Sequence, residues 1–334
     1  MPEIMTHYFF GLDSLNAIKP LSVYKVIKNY RSLYYMGLCG PDPMYYHRLL
    51  NKENYNYVAT IMHNQNTAKF IGALFEYYNM LDPKCEDSQA VIAYISGFIC
   101  HFVLDTTAHP YVFYIGGKYD KSLAHTVKYK GLHQHIELSI DSLLLQKHYG
   151  IIPKNFKVHK HILKVDSIPQ TILNMYKFAL FKTYQIEHGD IIIGESFADY
   201  KIYYRMTHDS FGIKRQIGVS LKPILPQGLH QFTGTFSYYD CVKYGVDYLN
   251  EKKAVWLHPV NGIVNTYSFE DLLKNALKKS SLLLRFVDNY LNDYITLEEL
   301  LSHIPNLSYS TGLPLDEQQE MIYFSDELAE KFFW

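Results

Sequence analysis

Gly97-Phe-Ile-Cys-His101-Phe-Val-Leu-Asp105-Thr-Thr-Ala-His109-Pro110 is the stretch on which the fold turns. Its two histidines and its aspartate stand four residues apart, a spacing that stacks side chains along one face of a helix. Residues 90–104 are apolar apart from Ser96, Gly97 and His101, so the helix they predict belongs in a core. Polar groups carried into a core need partners, because each unpaired one costs ~1–3 kcal/mol. A divalent cation satisfies all three at once, with imidazole nitrogen and carboxylate oxygen as ordinary zinc ligands. His101 and Asp105 can chelate one ion, or Asp105 can bridge two. The competing reading is a pair of core histidines bonded to backbone and to Asp105. Three ligand groups in one register favour the metal, and with it a metal-dependent hydrolase.

Further along, Leu132-His133-Gln-His135-Ile-Glu137-Leu-Ser-Ile-Asp141 repeats the spacing. His133 and Glu137 are one turn apart and Asp141 one turn further, which suits a second zinc site or the completion of the first. His135 falls on another face and is not read as a ligand beside His133. The alternative is a solvated face with ordinary ion pairs. His7 in Met5-Thr-His7-Tyr8 and His63 in Ile61-Met-His63-Asn64 are isolated, and each alone reads as a structural histidine. Asp42 stands between Pro41 and Pro43: a carboxylate pre-positioned by rigid neighbours, or simply a good turn residue.

The 334 residues are 48% hydrophobic and 19% charged, enough to bury a substantial core. Apolar residues recur at helical spacing over 12–35 (interrupted by Pro20), 55–80, 131–148, 170–186, 192–206, 237–250 and 268–301, and the predicted fold class is all-α. Asp87 or Ser88 is the expected N-cap of the buried helix. Residues 218–236, with Pro223, Pro226, Gly228 and Gly234, have no clear period and read as a long connection. A formal net charge of −1 gives no long-range pull toward nucleic acid, and no stable nucleic-acid binding is expected. Four dispersed cysteines argue against a disulfide scaffold or a thiolate zinc site and leave the 16 histidines and the carboxylates as ligands. The 31 tyrosines are read mainly as core and rim. No cationic, cleavable leader is legible at the N-terminus. The longest apolar run, about 15 residues, falls short of the ~20 that span a bilayer. A soluble, cytoplasmic protein without a transmembrane segment is expected.

Together these pieces resemble the bacterial zinc-dependent phospholipase C family, including its shorter relatives without export signals. The matching text, in order, is Thr6-His-Tyr-Phe-Phe-Gly11, Gly40-Pro-Asp-Pro43, Met62-His63, the stretch from Gly97 to Asp105, His109-Pro110 and His133-Gln-His-Ile-Glu137. Asp209-Ser-Phe-Gly-Ile-Lys-Arg215 and Trp256-Leu-His-Pro259 extend it downstream. The resemblance implies a multi-helix bundle around a metal cluster: a phospholipase C-like core over 1–215, with a helical extension over 216–334 packed on it. Carried over by position, Asp42, His63, His101 and Asp105 would hold one zinc, His109, His133 and Glu137 a second, and His7 with a bridging Asp105 a third. In exported members the first mature residue completes that third site. Here Met1 precedes Pro2 with no signal to remove, so two or three Zn2+ ions are expected. The gap from Asp105 to His109 is also shorter than in the exported enzymes, though it keeps His109 on the same helix face.

The resemblance further implies phosphoester chemistry. Zinc lowers the pKa of bound water toward ~7, and Asp42 is the candidate general base that orients the water. The expected substrate is a phosphodiester, with phospholipid head groups among the candidates. The alternatives are a phosphomonoesterase or single-strand nuclease of related fold, and a non-catalytic zinc-binding protein that keeps the fold. A His-Asp phosphohydrolase reading rests only on His208-Asp209.

Overall fold

In the computed structural model, residues 4–48, 54–221 and 242–332 are described. They build an all-α protein. In chain order the helices are α1 (Ile4–Ala17), α2 (Ser22–Asn29), α3 (Arg31–Gly37), α4 (Tyr57–Asn64), α5 (Thr67–Tyr78), α6 (Glu86–Gly116), α7 (Leu132–Tyr149), α8 (Val158–His161), α9 (Gln170–Tyr184), α10 (Gly189–Thr207) and α11 (Ile213–Leu221). A long helix, Phe269–Leu291, and two short ones, Leu297–Ser302 and Glu327–Phe332, complete the set. The two-residue strands Trp256–Leu257 and Val264–Asn265 form a small antiparallel ladder.

α6 is the axis, with α1, α2, α3, α5, α7, α9 and the Phe269–Leu291 helix packed against it. Its apolar window is long enough to cross a bilayer, yet 94% of that window is buried inside the protein. It runs well beyond the expected apolar stretch because it continues through Pro110 to a Gly117 cap at φ 64°. Glu86 and Asp87 occupy its first turn, where carboxylates favour the positive end of the helix dipole. The N-cap is Cys85, ahead of both expected residues: its Sγ accepts from Ser88 N at 3.3 Å. Ser88 cannot cap because its hydroxyl donates backwards, to the carbonyls of Pro83 and Cys85. Gly37 on α3 and Gly97 on α6 let these helices touch backbone to backbone. A Cβ on Gly37 would strike the Tyr94 carbonyl, and one on Gly97 the Tyr34 carbonyl.

The Phe269–Leu291 helix opens with a reciprocal capping box between Ser268 and Asp271. It buries Phe269, Leu272, Ala276, Leu283, Leu284 and Val287, each large apolar side chain contributing ~1.5–3 kcal/mol. Near its end, Asp288 accepts from Ser22 Oγ at 2.6 Å and Val23 N at 2.7 Å. α2 has no side-chain cap from its own N-cap residue, Leu21, and Asp288 supplies one.

Several expected boundaries move. The 12–35 segment is three helices, α1 to α3, and 55–80 is two, broken at Gln65 and at Asn66 with φ 49°. The 268–301 segment likewise divides, with Asp293 at φ 57° between its two helices. Residues 242–250 are turns rather than the expected helix, because Asn250 (φ 49°) spends its side chain on the carbonyls of Ala254 and Tyr267. Residues 237–241 of that segment lie outside the described residues. Of the expected 218–236 connection, 218–221 complete α11 and the rest lies outside the described residues. Tyr34, Tyr94, Tyr176, Tyr200, Tyr204, Tyr248 and Tyr309 are fully buried. Among the described residues, Cys39, Cys85 and Cys100 are free thiols.

Candidate metal centre

α6 carries His101, Asp105 and His109 on one buried face, and four other segments bring side chains to it. Asp105 is the hub. Its Oδ1 lies 3.1 Å from His7 Nε2 of α1. Its Oδ2 lies 3.2 Å from His101 Nε2 and 3.8 Å from His63 Nε2 of α4. Asp42 opens the short turn Asp42–Tyr46, with Oδ1 3.3 Å from His63 Nε2 and 3.8 Å from His101 Nε2. All five side chains are buried, and the His7 and His101 rings stack at 4.2 Å. A second group lies outward along α6: His109 Nε2 is 3.6 Å, and His133 Nε2 2.8 Å, from Glu137 Oε1 of α7. His109 Nδ1, 3.9 Å from Asp105 Oδ2, links the two groups.

Three triads have ligand atoms within 4.8 Å of one another: His7, His101 and Asp105; Asp42, His63 and His101; His109, His133 and Glu137. The eight ligands that the resemblance implies therefore fall in three adjoining groups, while Asp141, which has the spacing of a ligand, falls in none. His208 and Asp209 lie outside them too. His208 Nε2 meets Ser210 Oγ at 2.7 Å, and its carbonyl accepts from Lys214. His135 points elsewhere, with Nε2 2.7 Å from the Tyr248 hydroxyl.

The residues fit a metal by a direct test. Both Asp105 oxygens, both His7 ring nitrogens, His101 Nε2, His109 Nε2 and Asp42 Oδ1 are buried without a hydrogen bond. Imidazole nitrogens and carboxylate oxygens face one another at 3.1–3.9 Å without satisfying these atoms, so they crowd a common space. At ~1–3 kcal/mol for each orphaned group, such a cluster is costly unless a cation fills it. A mixed imidazole and carboxylate set suits zinc.

The outer ring nitrogens are fixed as well. His63 Nδ1 donates to the Ala59 carbonyl at 2.6 Å, His101 Nδ1 to Leu38 at 3.0 Å, and His109 Nδ1 to Tyr309 at 2.8 Å. A carbonyl only accepts, so each ring is held with its Nε2 lone pair facing the cluster. Burial lowers the pKa of His7, with His101 adding to the effect, and holds His109 and His133 well below the ordinary imidazole value. Those rings stay neutral, as ligands must. At His101 burial acts downward too, but the Asp105 and Asp42 charges prevail and raise it. Burial opposes the Asp105 charge, yet His101 and His109 keep that carboxyl well below the usual range. Burial also pushes His135 down to about 4.

Local structure explains the placement. Gly40, at φ 52°, lies against the His101 ring so closely that a Cβ would collide with it, which delivers Asp42 to the cluster. Two positioning contacts are not legible in the sequence. Asp141 is not aimed at a metal. It accepts from Met5 N and Thr6 N, each at 2.9 Å, and from the Thr6 hydroxyl, and so anchors the first turn of α1 that presents His7. Tyr309, from the C-terminal loop, accepts from His109 through its carbonyl and donates its N–H to the His63 carbonyl at 2.9 Å. Its ring packs 5.1 Å from His63 and 5.9 Å from His101. The loop sits where α6 lacks a hydrogen bond. Pro110 has no N–H for the Thr106 carbonyl, and Gly312 packs on that oxygen with no room for a Cβ. A Ser-Tyr-Ser-Thr-Gly run carries no metal motif; only the missing N–H of Pro110 hints at a docking point.

Against known proteins, the model of the zinc dependent phospholipase C family matches residues 6–177, a span that holds all eight of these histidines and carboxylates. Neither the curated proteins nor the solved structures give a match.

Proposed function

The chain belongs to the zinc-dependent phospholipase C family, and on that premise we propose that it hydrolyses a phosphodiester, with Asp42 as the general base. The observation that carries this reading is the set of buried, orphaned imidazole and carboxylate atoms converging on Asp105. Asp42, His63, His101 and Asp105 would hold one metal, His109, His133 and Glu137 a second, and His7 with Asp105 a third. Zinc bound there supplies Lewis acidity toward a phosphoryl oxygen and makes hydroxide accessible near neutral pH.

The chain's own groups do the rest. Backbone carbonyls hold three imidazoles in the tautomer that presents Nε2. The Asp42 carboxylate takes the proton of the attacking water, and the alcohol leaves as its bond to phosphorus breaks. The side chain of His133 is 31% exposed while those of His101 and Asp105 are fully enclosed, so a phosphoester reaches the cluster from the α7 side. The buried rings of Tyr309 and Phe102 pack at 5.2 Å, with Tyr309 against His63 and His101.

The test is hydrolysis of bis(4-nitrophenyl) phosphate by the full chain. Turnover should vanish with chelator, return with zinc, and fall at least about a hundredfold in Asp42→Asn. Cleavage of single-stranded DNA in preference to the small diester would replace the phospholipase C-like reading by a nuclease. Full metal content with no turnover on either would make this a non-catalytic zinc protein.

A further inference from the structure

Two surface segments beside the α7 end of the centre share an unusual composition. At the end of α10 and start of α11, Met206 is 67%, Phe211 87% and Ile213 56% exposed. Ile202, one turn before Met206, is also exposed. Gly212, at φ 71°, makes the turn that puts Phe211 at its tip. Scattered exposed apolar residues are normal, but a contiguous cluster marks an interaction surface.

The rim of that cluster is cationic. Residues 154–164 carry Lys154, Lys157, Lys160 and Lys164 with no acidic residue, and α8 within them packs against α10. His159 stacks edge-on against His208 at 5.7 Å. Burial lowers the His159 pKa, and the nearby charges of Lys160, Arg205 and Lys157 lower it further. His208 is lowered in the same way by burial, then by His159, Lys157 and Lys214. Cations thus crowd one another around the apolar tip, and the carboxylate of Asp209 at its base is buried.

The loop that leads into α7 repeats the pattern. Leu123 is 46% and Val127 56% exposed, and Lys118, Lys121 and Lys130 lie beside them with Asp120 as the acid among them. Lys128 of the same loop is paired with Asp326. Both segments reach the same edge of the centre. This loop ends two residues before His133, and the neighbouring Gln134 Nε2 lies 3.4 Å from the hydroxyl of Tyr203 on α10, one turn before Met206.

We propose that Met206, Phe211, Ile213, Leu123 and Val127, ringed by these lysines and Arg205, form a docking face for an anionic lipid surface, which presents phosphoester head groups to the His133 side of the centre. The charge decides the occupant. An apolar tip within a ring of cations suits a bilayer interface, where side chains such as Phe and Leu enter the head-group layer and each Lys or Arg gains from the negative surface potential. A neutral apolar protein partner would leave the cations unmatched. The docking face rests on the hydrolase reading for its biological sense, so binding and turnover are measured separately.

The experiment is co-sedimentation of the full, zinc-loaded chain with phosphatidylcholine vesicles, with and without phosphatidylglycerol. The chain should bind the anionic vesicles at least about tenfold more strongly than pure phosphatidylcholine, and release them as salt rises. Met206→Ser/Phe211→Ser should cut that binding about tenfold or more, while bis(4-nitrophenyl) phosphate turnover stays unchanged. Lys157→Glu/Lys160→Glu should abolish the preference for anionic vesicles. Absence of vesicle binding, equal binding to both vesicle types, or unaltered binding by both double variants overturns the proposal. Loss of small-diester turnover in the unmodified chain overturns the hydrolase reading and leaves the binding result standing.

Discussion

The inner and outer halves of the metal centre are built to different standards. Around Asp105 every side chain is enclosed, and His7, Asp42, His63 and His101 arrive from four segments. Around Glu137 two ligands share α7, only His109 comes from α6, and His133 opens to solvent. The inner half ties the N-terminal helices to α6, whereas the outer half is a local arrangement with an open side. A cation in the inner half should therefore act mainly on stability, and one in the outer half mainly on turnover.

Asp105→Ala puts the greatest stress on this division, because it removes the shared hub. Expected are loss of zinc from both halves by elemental analysis and a stability loss of about 3–5 kcal/mol in denaturant, because His101 loses its buried counter-charge and His7 its partner. Retention of full metal would dissolve the distinction. Next comes Gly312→Ala, far from any ligand in sequence. A Cβ there collides with the Thr106 carbonyl, so the loop must retreat, at about 1–3 kcal/mol. Turnover should fall as well, because His109 loses the Tyr309 carbonyl.

Acid separates the two halves further in the metal-free protein. His7, His109 and His133 have folded-state pKa values below the ordinary 6.5. Below about pH 6.5 the unfolded chain takes up protons that the folded chain refuses, and stability falls with pH. His101, raised above 6.5, works the other way: its contribution is complete below 6.5 and fades as pH rises through its folded value. Three groups against one leave a net loss on acidification, up to about 1.4 kcal/mol per pH unit for each unbalanced imidazole. Urea midpoints between pH 7 and 5 check the sign. The smallest stability effect is expected for His133→Ala, below about 1 kcal/mol, with a large loss of turnover. A variant that instead unfolds would make the outer half structural.

Local patterning made α6 and its row of ligands readable, because four-residue spacing on an apolar helix is a short-range signal. The same held for the pairing of His133 with Glu137. His7, His63 and Asp42 carry no such signal by themselves; motif text placed them, and the fold brings them to Asp105. What stayed hidden depends on contacts between residues far apart in the chain. Asp141 has the spacing of a ligand, but the first turn of α1 claims its carboxylate. Asp288 caps α2 from the far end of the protein. The turn at 242–250 escaped because its apolar spacing mimics a helix while Asn250 diverts the backbone.

The His109–Tyr309 bond spans 200 residues, and it orders events in time. When His109 leaves the ribosome, the acceptor that will orient its ring has yet to be synthesised. Closure of so large a loop is among the slow steps of folding. The acceptor that fixes the His109 ring is then the last contact of the outer group to form, after the distal segment has docked.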